Sequence, residues 1–490
     1  MATGGRGDGL AVLQLTPHKL MVQEHFDRLA PAMGRWRRKS WYYHQELERF
    51  FRSVIPPGSS VLEVGCGTGE LLAAVQPRNG GGVDLSPRMV EKAKENFPDI
   101  TWLVGDAESL DLDQQFDYII LSDLLGHLED IWTTFQRLKH VSRPDTRVVI
   151  TYYNYLWEPL LRFAELIGQR TPLRLQNWLP LDDIENLLRL SDFEVVKRGY
   201  RFLIPKYVPL VSNWVNRVVS KLPLIRRLCL IEYVVARPWP PAPEADPRPA
   251  FTCSVVVPCR NELGNIEPVI ARIPDLGAHT EIIFVDGAST DGTHERIEEL
   301  IELHRGKKDI RLVLQASPKG KGEAVRLGFD AATGDILFIL DADLTVDPEE
   351  LPRFYRSIVE GKGELISGSR LVYPMERQAM RVLNLIGNKV FSVLFTWTLE
   401  QRITDTLFGT KVLRRSDYLK IKANRAFFGD FDPFGDFDLL FGAAKLNMKI
   451  VEIPIRYRER VYGSSKISRF RHGLLLFRMS WIAIRKLKLS

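Results

Sequence analysis

The feature that most constrains this chain is a run of prolines near its middle. Arg237-Pro-Trp-Pro-Pro-Ala-Pro-Glu-Ala-Asp-Pro-Arg-Pro249 holds six prolines in thirteen residues. Proline fixes φ and donates no backbone hydrogen bond, so neither a helix nor a central strand runs through such a stretch. It reads as a stiff, extended linker over 238–250. It divides the 490 residues into two parts, 1–237 and 251–490, each long enough to bury its own core. The parts share no repeat, so the chain is a fusion and not a duplication.

Both parts alternate apolar strand-like runs with helical stretches, the α/β pattern of a mostly parallel sheet. In the first part the strands are expected at Ser60–Val64, Gly82–Leu85, Thr101–Val104, Tyr118–Ser122 and Val148–Tyr152. Phe193–Arg201 and Leu228–Val235 follow as a closing hairpin. In the second part they are expected at Ser254–Pro258, Glu281–Val285, Arg311–Gln315 and Ile336–Leu340, with later strands near Leu365 and at Ile450–Ile455.

Charge is uneven. The net +6 is concentrated in Val195–Ile231, which has no acid, and in Arg456–Ser490, with ten Lys/Arg against one acid. Dense Leu, Ile, Trp and Phe around these cations favour an anionic lipid surface over nucleic acid, while charge alone is read as a solvated basic surface. No apolar run reaches membrane-spanning length, and the Gly-rich start lacks a secretory core. Cys66, Cys229, Cys253 and Cys259 show no metal-ligand spacing and read as small buried residues in a reducing compartment. The expectation is a cytoplasmic protein, peripheral on the inner face of the membrane.

Val61-Leu-Glu-Val-Gly-Cys-Gly-Thr-Gly-Glu-Leu-Leu72 is a strand, a glycine turn and a helix start. Glycines at 65, 67 and 69 let backbone approach a ligand, and the helix start offers free N–H groups. A dinucleotide fingerprint needs its third glycine where Glu70 stands, which argues against NAD. Asp84 ends the next strand, placed for ribose hydroxyls, and Asp106-Ala107 ends the third, placed for an adenine edge. With Val83-Asp-Leu-Ser86 and Phe116-Asp-Tyr-Ile-Ile-Leu-Ser122, this set resembles the class I methyltransferases over about Glu24–Arg237. The resemblance implies a Rossmann-like sheet and S-adenosylmethionine as cofactor. Its binding positions would be Glu63, Gly65, Gly67, Gly69, Asp84, Asp106 and Ala107. A hydroxyl acceptor would need a base, and His127 is the candidate.

In the second part three constellations fall at strand ends. Cys253-Ser-Val-Val-Val-Pro-Cys-Arg-Asn-Glu262 stops at Pro258, a second strand ends in Asp286, and a third ends in Asp341-Ala-Asp343. Alternate residues at a strand end point the same way, so Asp341 and Asp343 can share one Mg²⁺ or Mn²⁺. Such a cation neutralises charge on a departing diphosphate. Ser317-Pro-Lys-Gly-Lys-Gly-Glu-Ala324, with Lys321, is a phosphate-compatible loop.

This order resembles family 2 glycosyltransferases of the GT-A fold over about Thr252–Lys466. More narrowly it is similar to dolichyl- and polyprenyl-phosphate sugar synthases. Gly368-Ser-Arg370, Asp405-Thr-Leu-Phe-Gly409, Val451-Glu-Ile-Pro-Ile455 and Val461-Tyr-Gly-Ser-Ser-Lys466 carry that likeness. It implies inverting transfer from a nucleotide-diphosphate sugar, with Pro258, Asn261, Glu262, Asp286 and Asp341 around the nucleotide and Asp341 and Asp343 on the metal. Where relatives often show Phe-Asp-x-Glu-Leu, this chain reads Gly435-Asp-Phe-Asp-Leu439, so Asp436 and Asp438 are the candidates for a base. Arg370, Lys411, Arg456, Arg458 and Lys466 offer a cationic cradle for a polyprenyl phosphate acceptor. The apolar Arg381–Trp397 is read either as core or as acceptor contact. The basic tail His472–Lys488 is expected as a membrane-surface helix.

The leading expectation is a bifunctional enzyme of envelope glycan or lipid-linked sugar synthesis. The rivals are a glycosyltransferase extending a glycan at a sugar hydroxyl, with methylation of that glycan, and a chain in which one domain only binds cofactor or lipid.

Overall fold

The computed structural model describes residues 15–173, 178–239, 251–316, 320–370, 382–406, 408–427, 437–455, 462 and 469–489. The chain forms two compact units, Met1–Trp239 and Pro240–Ser490.

The first unit is built on seven strands: β1 (Ser60–Val64), β2 (Asn79–Asp84), β3 (Thr101–Val104), β4 (Phe116–Ser122), β5 (Ser142–Tyr153), β6 (Phe193–Arg201) and β7 (Ile231–Pro238). Their order is β3-β2-β1-β4-β5-β7-β6. The first five are parallel, and β7 runs antiparallel between β5 and β6. β1, β4 and β5 are apolar on consecutive residues because both faces are covered: Val61 and Leu62, Ile119 and Ile120, and Val149 and Ile150 are all buried. The helix Trp41–Val54 covers one face. Its buried Tyr43, Leu47, Phe50, Phe51 and Val54 recur at helical spacing and form a single apolar stripe. Phe135, Leu138, Ile184 and Leu188 pack on the other face.

One boundary moves. β7 runs on to Pro238, which pairs with Phe193 of β6. Its pairing with β5 has already ended at Ala236, so the missing N–H leaves no ladder bond unmade on that side. Residues 240–250 of the expected linker lie outside the described residues.

The second unit has β8 (Thr252–Cys259), β9 (His279–Asp286), β10 (Asp309–Leu314), β11 (Ile336–Ile339), β12 (Leu365–Ser369), β13 (Lys411–Arg414) and β14 (Ile450–Pro454). The order is β10-β9-β8-β11-β13-β12-β14. β13 is antiparallel to both neighbours, and the other pairings are parallel.

One helix of this unit differs from the expectation for the tail. Helix Arg469–Ala483 does not lie free on a surface: Leu476, Met479 and Ala483 are buried in the cluster that holds Phe391 and Phe395 of helix Val382–Leu399. Lys488 is buried too and pairs with Glu400. Among the described residues an open edge remains, with Phe477 and Trp481 more than half exposed beside Val390 and Val393, themselves more than half exposed. Phe391 meets Phe477 at a ring separation of 4.8 Å. No helix among the described residues is long and apolar enough to cross a membrane. All four cysteines are buried and unbonded.

Candidate active sites

β1 ends in a turn that needs glycine. Gly65, Gly67 and Gly69 have φ of 77°, 52° and 88°, in the left-handed region. Space is short as well: a Cβ on Gly65 would stand 2.8 Å from Leu124, and one on Gly69 2.6 Å from Trp102. Asp84, at the end of neighbouring β2, holds the turn. Its carboxylate accepts the Gly67 N–H at 2.8 Å and the Ser86 N–H at 2.9 Å. Burial raises its pKa, and these two donors counter part of that rise. Glu63 lies buried beneath and accepts the Leu72 N–H at 3.0 Å, which secures the helix Glu70–Ala74. Burial pushes its pKa well up.

These residues open onto a cavity of about 430 Å³. Glu63, Gly65, Gly67, Asp84, Asp106, Ala107 and His127 all line it, whereas Gly69 caps the helix behind it. The N-terminal helix Pro17–Leu29, which the sequence reading left unassigned, forms another wall. It is capped by Thr16 and starts at a proline, both strong start signals. It lays Val22 and Phe26 into the cavity, and Gln23 donates to the Leu85 carbonyl at 2.9 Å. Its Lys19 reaches Asp106 at 2.6 Å and Glu108 at 2.7 Å, so the expected adenine-edge carboxylate carries a cation of the same chain.

His127 sits in the turn Leu125–His127 with the Phe26 ring edge-on at 5.2 Å. Burial, and then the charges of His25 and Arg170, lower its pKa to about 4. A residue missed by sequence stands four positions earlier. Asp123 directly follows β4, lines the cavity and has a left-handed backbone with φ of 54°.

In the second unit β8, β9 and β11 are parallel neighbours, so the three sequence constellations meet at one edge of the sheet. After β8, Asn261 accepts the Thr290 N–H at 2.9 Å and donates its own N–H to Ser289 Oγ at 2.9 Å. Ser289 in turn donates to Asp286 at 2.5 Å. Glu262 accepts Asn265 Nδ2 at 2.7 Å, and its N–H donates to Thr293 Oγ1 at 2.9 Å. Asn261 and Glu262 are therefore hydrogen-bonded to the segment that follows Asp286, while Pro258 stays in β8 beside Val285 of β9.

Asp341 and Asp343 lie just past β11, partly open, with Ala342 between them buried. Lys321, at the start of helix Lys321–Ala331, reaches Asp341 Oδ1 at 2.6 Å. Gly409 closes over the pair: a Cβ there would lie 2.1 Å from Asp341 Oδ2 and 2.9 Å from Lys321 Nζ. Asp343 accepts from Thr345 Oγ1 at 2.7 Å. The donors are carboxylate oxygens, the set a hard divalent cation takes. Among the described residues no third His, Cys, Asp or Glu joins them, so phosphate oxygens and water would complete the shell of such a cation.

Arg370 is placed differently from a free cradle cation. It makes a two-pronged pair with buried Asp405, at 2.7 Å to each carboxylate oxygen. Burial alone would raise the Asp405 pKa, but Arg370 overrides it and holds it below the ordinary carboxylate value. Asn388 donates to the same carboxylate at 2.9 Å, and Glu452 accepts the N–H groups of Thr404 and Asp405 at 2.8 and 2.9 Å. Three of the sequence motifs thus form one polar frame under the loop that carries Gly409. Lys411 is buried on β13 and donates to the Phe408 carbonyl. Asp438 is also paired, with Arg425 at 2.8 Å and Arg326 at 3.3 Å. Asp436, Arg456, Arg458 and Lys466 lie outside the described residues.

Comparison with known proteins agrees with this division. Residues 33–198 match the family model for a methyltransferase domain, and residues 254–421 match that of glycosyl transferase family 2. The chain joins a methyltransferase domain to a family 2 glycosyltransferase domain. The glycosyltransferase domain is 36% identical over 225 residues to the dolichol-phosphate mannosyltransferase of Pyrococcus furiosus, covering 44% of this chain and 58% of that protein. It is 28% identical over 227 residues to the polyprenol monophosphomannose synthase of Mycolicibacterium smegmatis, covering 45% of this chain and 83% of that protein. The chain thus spans little more than half the length of the Pyrococcus relative. The methyltransferase domain is similar to a solved SAM-dependent methyltransferase of Thermotoga maritima, with 15% identity, a TM-score of 0.35, and coverage of 44% of this chain and 98% of that one.

Proposed function

We propose that the glycosyltransferase domain transfers a sugar, with inversion, from a nucleotide-diphosphate sugar to a polyprenyl phosphate. The observation that carries this is the cluster of Asp341, Asp343, Lys321 and the close-packed Gly409 at the meeting edge of β8, β9 and β11. The names of the mannosyltransferase relatives support the acceptor class. A phosphate oxygen attacks the anomeric carbon while the bond to the departing diphosphate breaks and its electrons leave with the diphosphate. A divalent cation held by Asp341 and Asp343 would supply positive charge to that leaving group. Lys321 adds a cation beside it. A phosphate acceptor is already ionised near neutral pH, so it needs placement more than a base. Asp438, the candidate base among the described residues, is engaged with Arg425 and Arg326.

The methyltransferase domain, in the same proposal, binds S-adenosylmethionine between the glycine turn, Asp84 and the wall formed by Asp106 and Ala107. The chain lies on an anionic membrane face. Support comes from each unit by itself. In the first, Leu210 and Leu224 are 91% and 88% exposed within Val195–Ile231, a basic stretch with no acid. In the second, the open edge is Val390, Val393, Phe477 and Trp481.

Radiolabel transfer from a panel of nucleotide sugars, extracted into lipid and water-soluble fractions, tests the acceptor. Label in lipid that disappears in excess chelator is the expected result. Label only in soluble glycan, or full transfer in chelator, overturns it.

A further inference from the structure

We infer that Asp123 is the proton-accepting catalytic residue of the methyl-transfer site, and that the methyl acceptor is an uncharged hydroxyl group. The inference rests on the reading of this cavity as an S-adenosylmethionine site.

β4 pairs in parallel with β1, so the residue after β4 stands beside the glycine turn that follows β1. The contact is direct: the Leu124 side chain fills the space where Gly65 would carry a Cβ. Asp123 is therefore one residue from the cofactor turn. Its backbone is held left-handed, a conformation uncommon outside glycine, while its N–H donates to the Thr151 carbonyl at 2.8 Å.

The carboxylate is only half satisfied. Oδ2 accepts the Tyr43 hydroxyl at 2.7 Å. Oδ1 is buried with no hydrogen-bond partner among the described residues. Because Asp123 also lines the cavity, this unmade bond leaves an acceptor for a ligand donor there. The groups facing Asp123 are Tyr43 from helix Trp41–Val54, Tyr153 from β5 and Arg170 from the segment after helix Glu158–Leu166. Tyr43 and Tyr153 stack at 6.0 Å, and the Arg170 guanidinium lies over the Tyr153 ring at 4.5 Å. Arg170 is itself paired with Glu165 at 2.6 Å. Burial dominates this environment and pushes the Asp123 pKa up to about 6, against the pull of Tyr43, Arg170 and Tyr153. A carboxylate tuned close to neutrality suits general-base work. His127, near 4, is the weaker base.

The proton balance is simple. The acceptor hydroxyl gives its proton to Asp123 Oδ1 as its oxygen forms the new bond to carbon. Bound S-adenosylmethionine supplies a methyl group on a sulfonium and keeps the carbon–sulfur electron pair, so one positive and one negative charge disappear together. Asp123 then releases its proton to water.

The test uses the full chain and Asp123→Asn. Carbon NMR of labelled aspartate should show a carboxyl titrating near pH 6 in the parent that is missing from the variant. S-adenosylhomocysteine should bind both within about twofold by calorimetry. Methyl label transferred to an envelope extract should be stable to mild alkali, as an ether is, and should fall roughly a hundredfold or more in the variant. Tyr43→Phe, which removes only the hydrogen bond, should shift the carboxyl titration further up. An Asp123 carboxyl titrating in the ordinary range, an undiminished rate in Asp123→Asn, or label released by alkali as an ester would each overturn the inference. Failure of the parent to bind S-adenosylhomocysteine would instead remove the cofactor reading beneath it.

Discussion

The two sites of this chain differ in how fully their polar groups are matched. In the glycosyltransferase domain three acids are matched with cations: Asp341 with Lys321, Asp405 with Arg370, Asp438 with Arg425 and Arg326. In the methyltransferase domain Asp106 is matched too, with Lys19, but two other groups that line the cavity are left short. Asp123 Oδ1 and His127 Nδ1 are buried with no hydrogen-bond partner among the described residues. A reaction that expels a diphosphate needs fixed charge, assembled before substrate arrives. A reaction that moves one proton needs a group whose charge can change, and burial without a matching cation provides that. Paired charges hold a scaffold in place; unpaired ones are held ready to titrate.

The contrast can be broken most severely at the metal pair. Asp343→Ala should reduce sugar transfer by roughly a thousandfold, within the range for lost transition-state charge stabilisation, and leave methyl transfer unchanged. Parallel assays of both activities on one preparation decide it. Equal loss of both would place Asp343 in the common stability of the chain.

Next in size is the paired frame. Arg370→Ala strands Asp405 in a buried position and should destabilise the second unit by about 3–5 kcal/mol. Calorimetric melting should show one transition lowered and the other in place. Substituting Arg370 and Asp405 together, by Met and Leu, should recover much of the loss, which a purely substrate-binding arginine would not do.

The glycine turn should respond more mildly. Asp84→Ala removes the acceptor for the Gly67 and Ser86 N–H groups. Affinity for S-adenosylhomocysteine is expected to fall at least about tenfold, in line with the loss of a charged hydrogen-bonding partner. Unchanged binding by titration calorimetry would exclude Asp84 from the site.

The smallest effect has an unusual sign. The Asp123 pKa is raised to about 6 in the folded chain, so between about pH 4 and 6 the folded state keeps a proton that the unfolded state has lost. Stability falls as pH rises through that window and stays low above it. Asp123→Asn should therefore stabilise the first unit at pH 7 by up to ~2 kcal/mol, and the gain should vanish below about pH 4. Denaturant melts of parent and variant at pH 4 and pH 7 would measure it. A gain of equal size at both values would trace the effect to packing.

Much of this was readable in the sequence where local signals and tertiary packing coincide. β1, β3 and β6 fall where apolar patterning and turns place them, and the glycine turn and Asp341-Ala-Asp343 stand at strand ends as their spacing requires. β13 escaped because four residues, Lys-Val-Leu-Arg, give no periodicity, and a lysine at its head argues against the burial that Lys411 has. The tail misled because its cations dominate the composition, whereas one face of small and apolar residues packs inward. Tyr43 and Lys19 come from helices distant in sequence from the motifs they serve, and nothing local announces their targets. Asp123 did leave a trace: Asp84, Asp106 and Asp123 each stand at or just beyond the end of successive strands β2, β3 and β4. The third was passed over because no glycine flags its left-handed backbone.

The inward face of helix Arg469–Ala483 also bears on how the protein is made. Leu476, Met479 and Ala483 share a core cluster with Val256 of β8 and Leu337 of β11, so the first strands of the second unit wait for some of its last residues. The first unit has all its strands by Pro238. At ~5–20 residues per second on the ribosome, the second core is completed roughly 10–50 s after the first. Through that interval its apolar strands have no finished partner, which makes this unit the one for which chaperone occupancy during translation matters most.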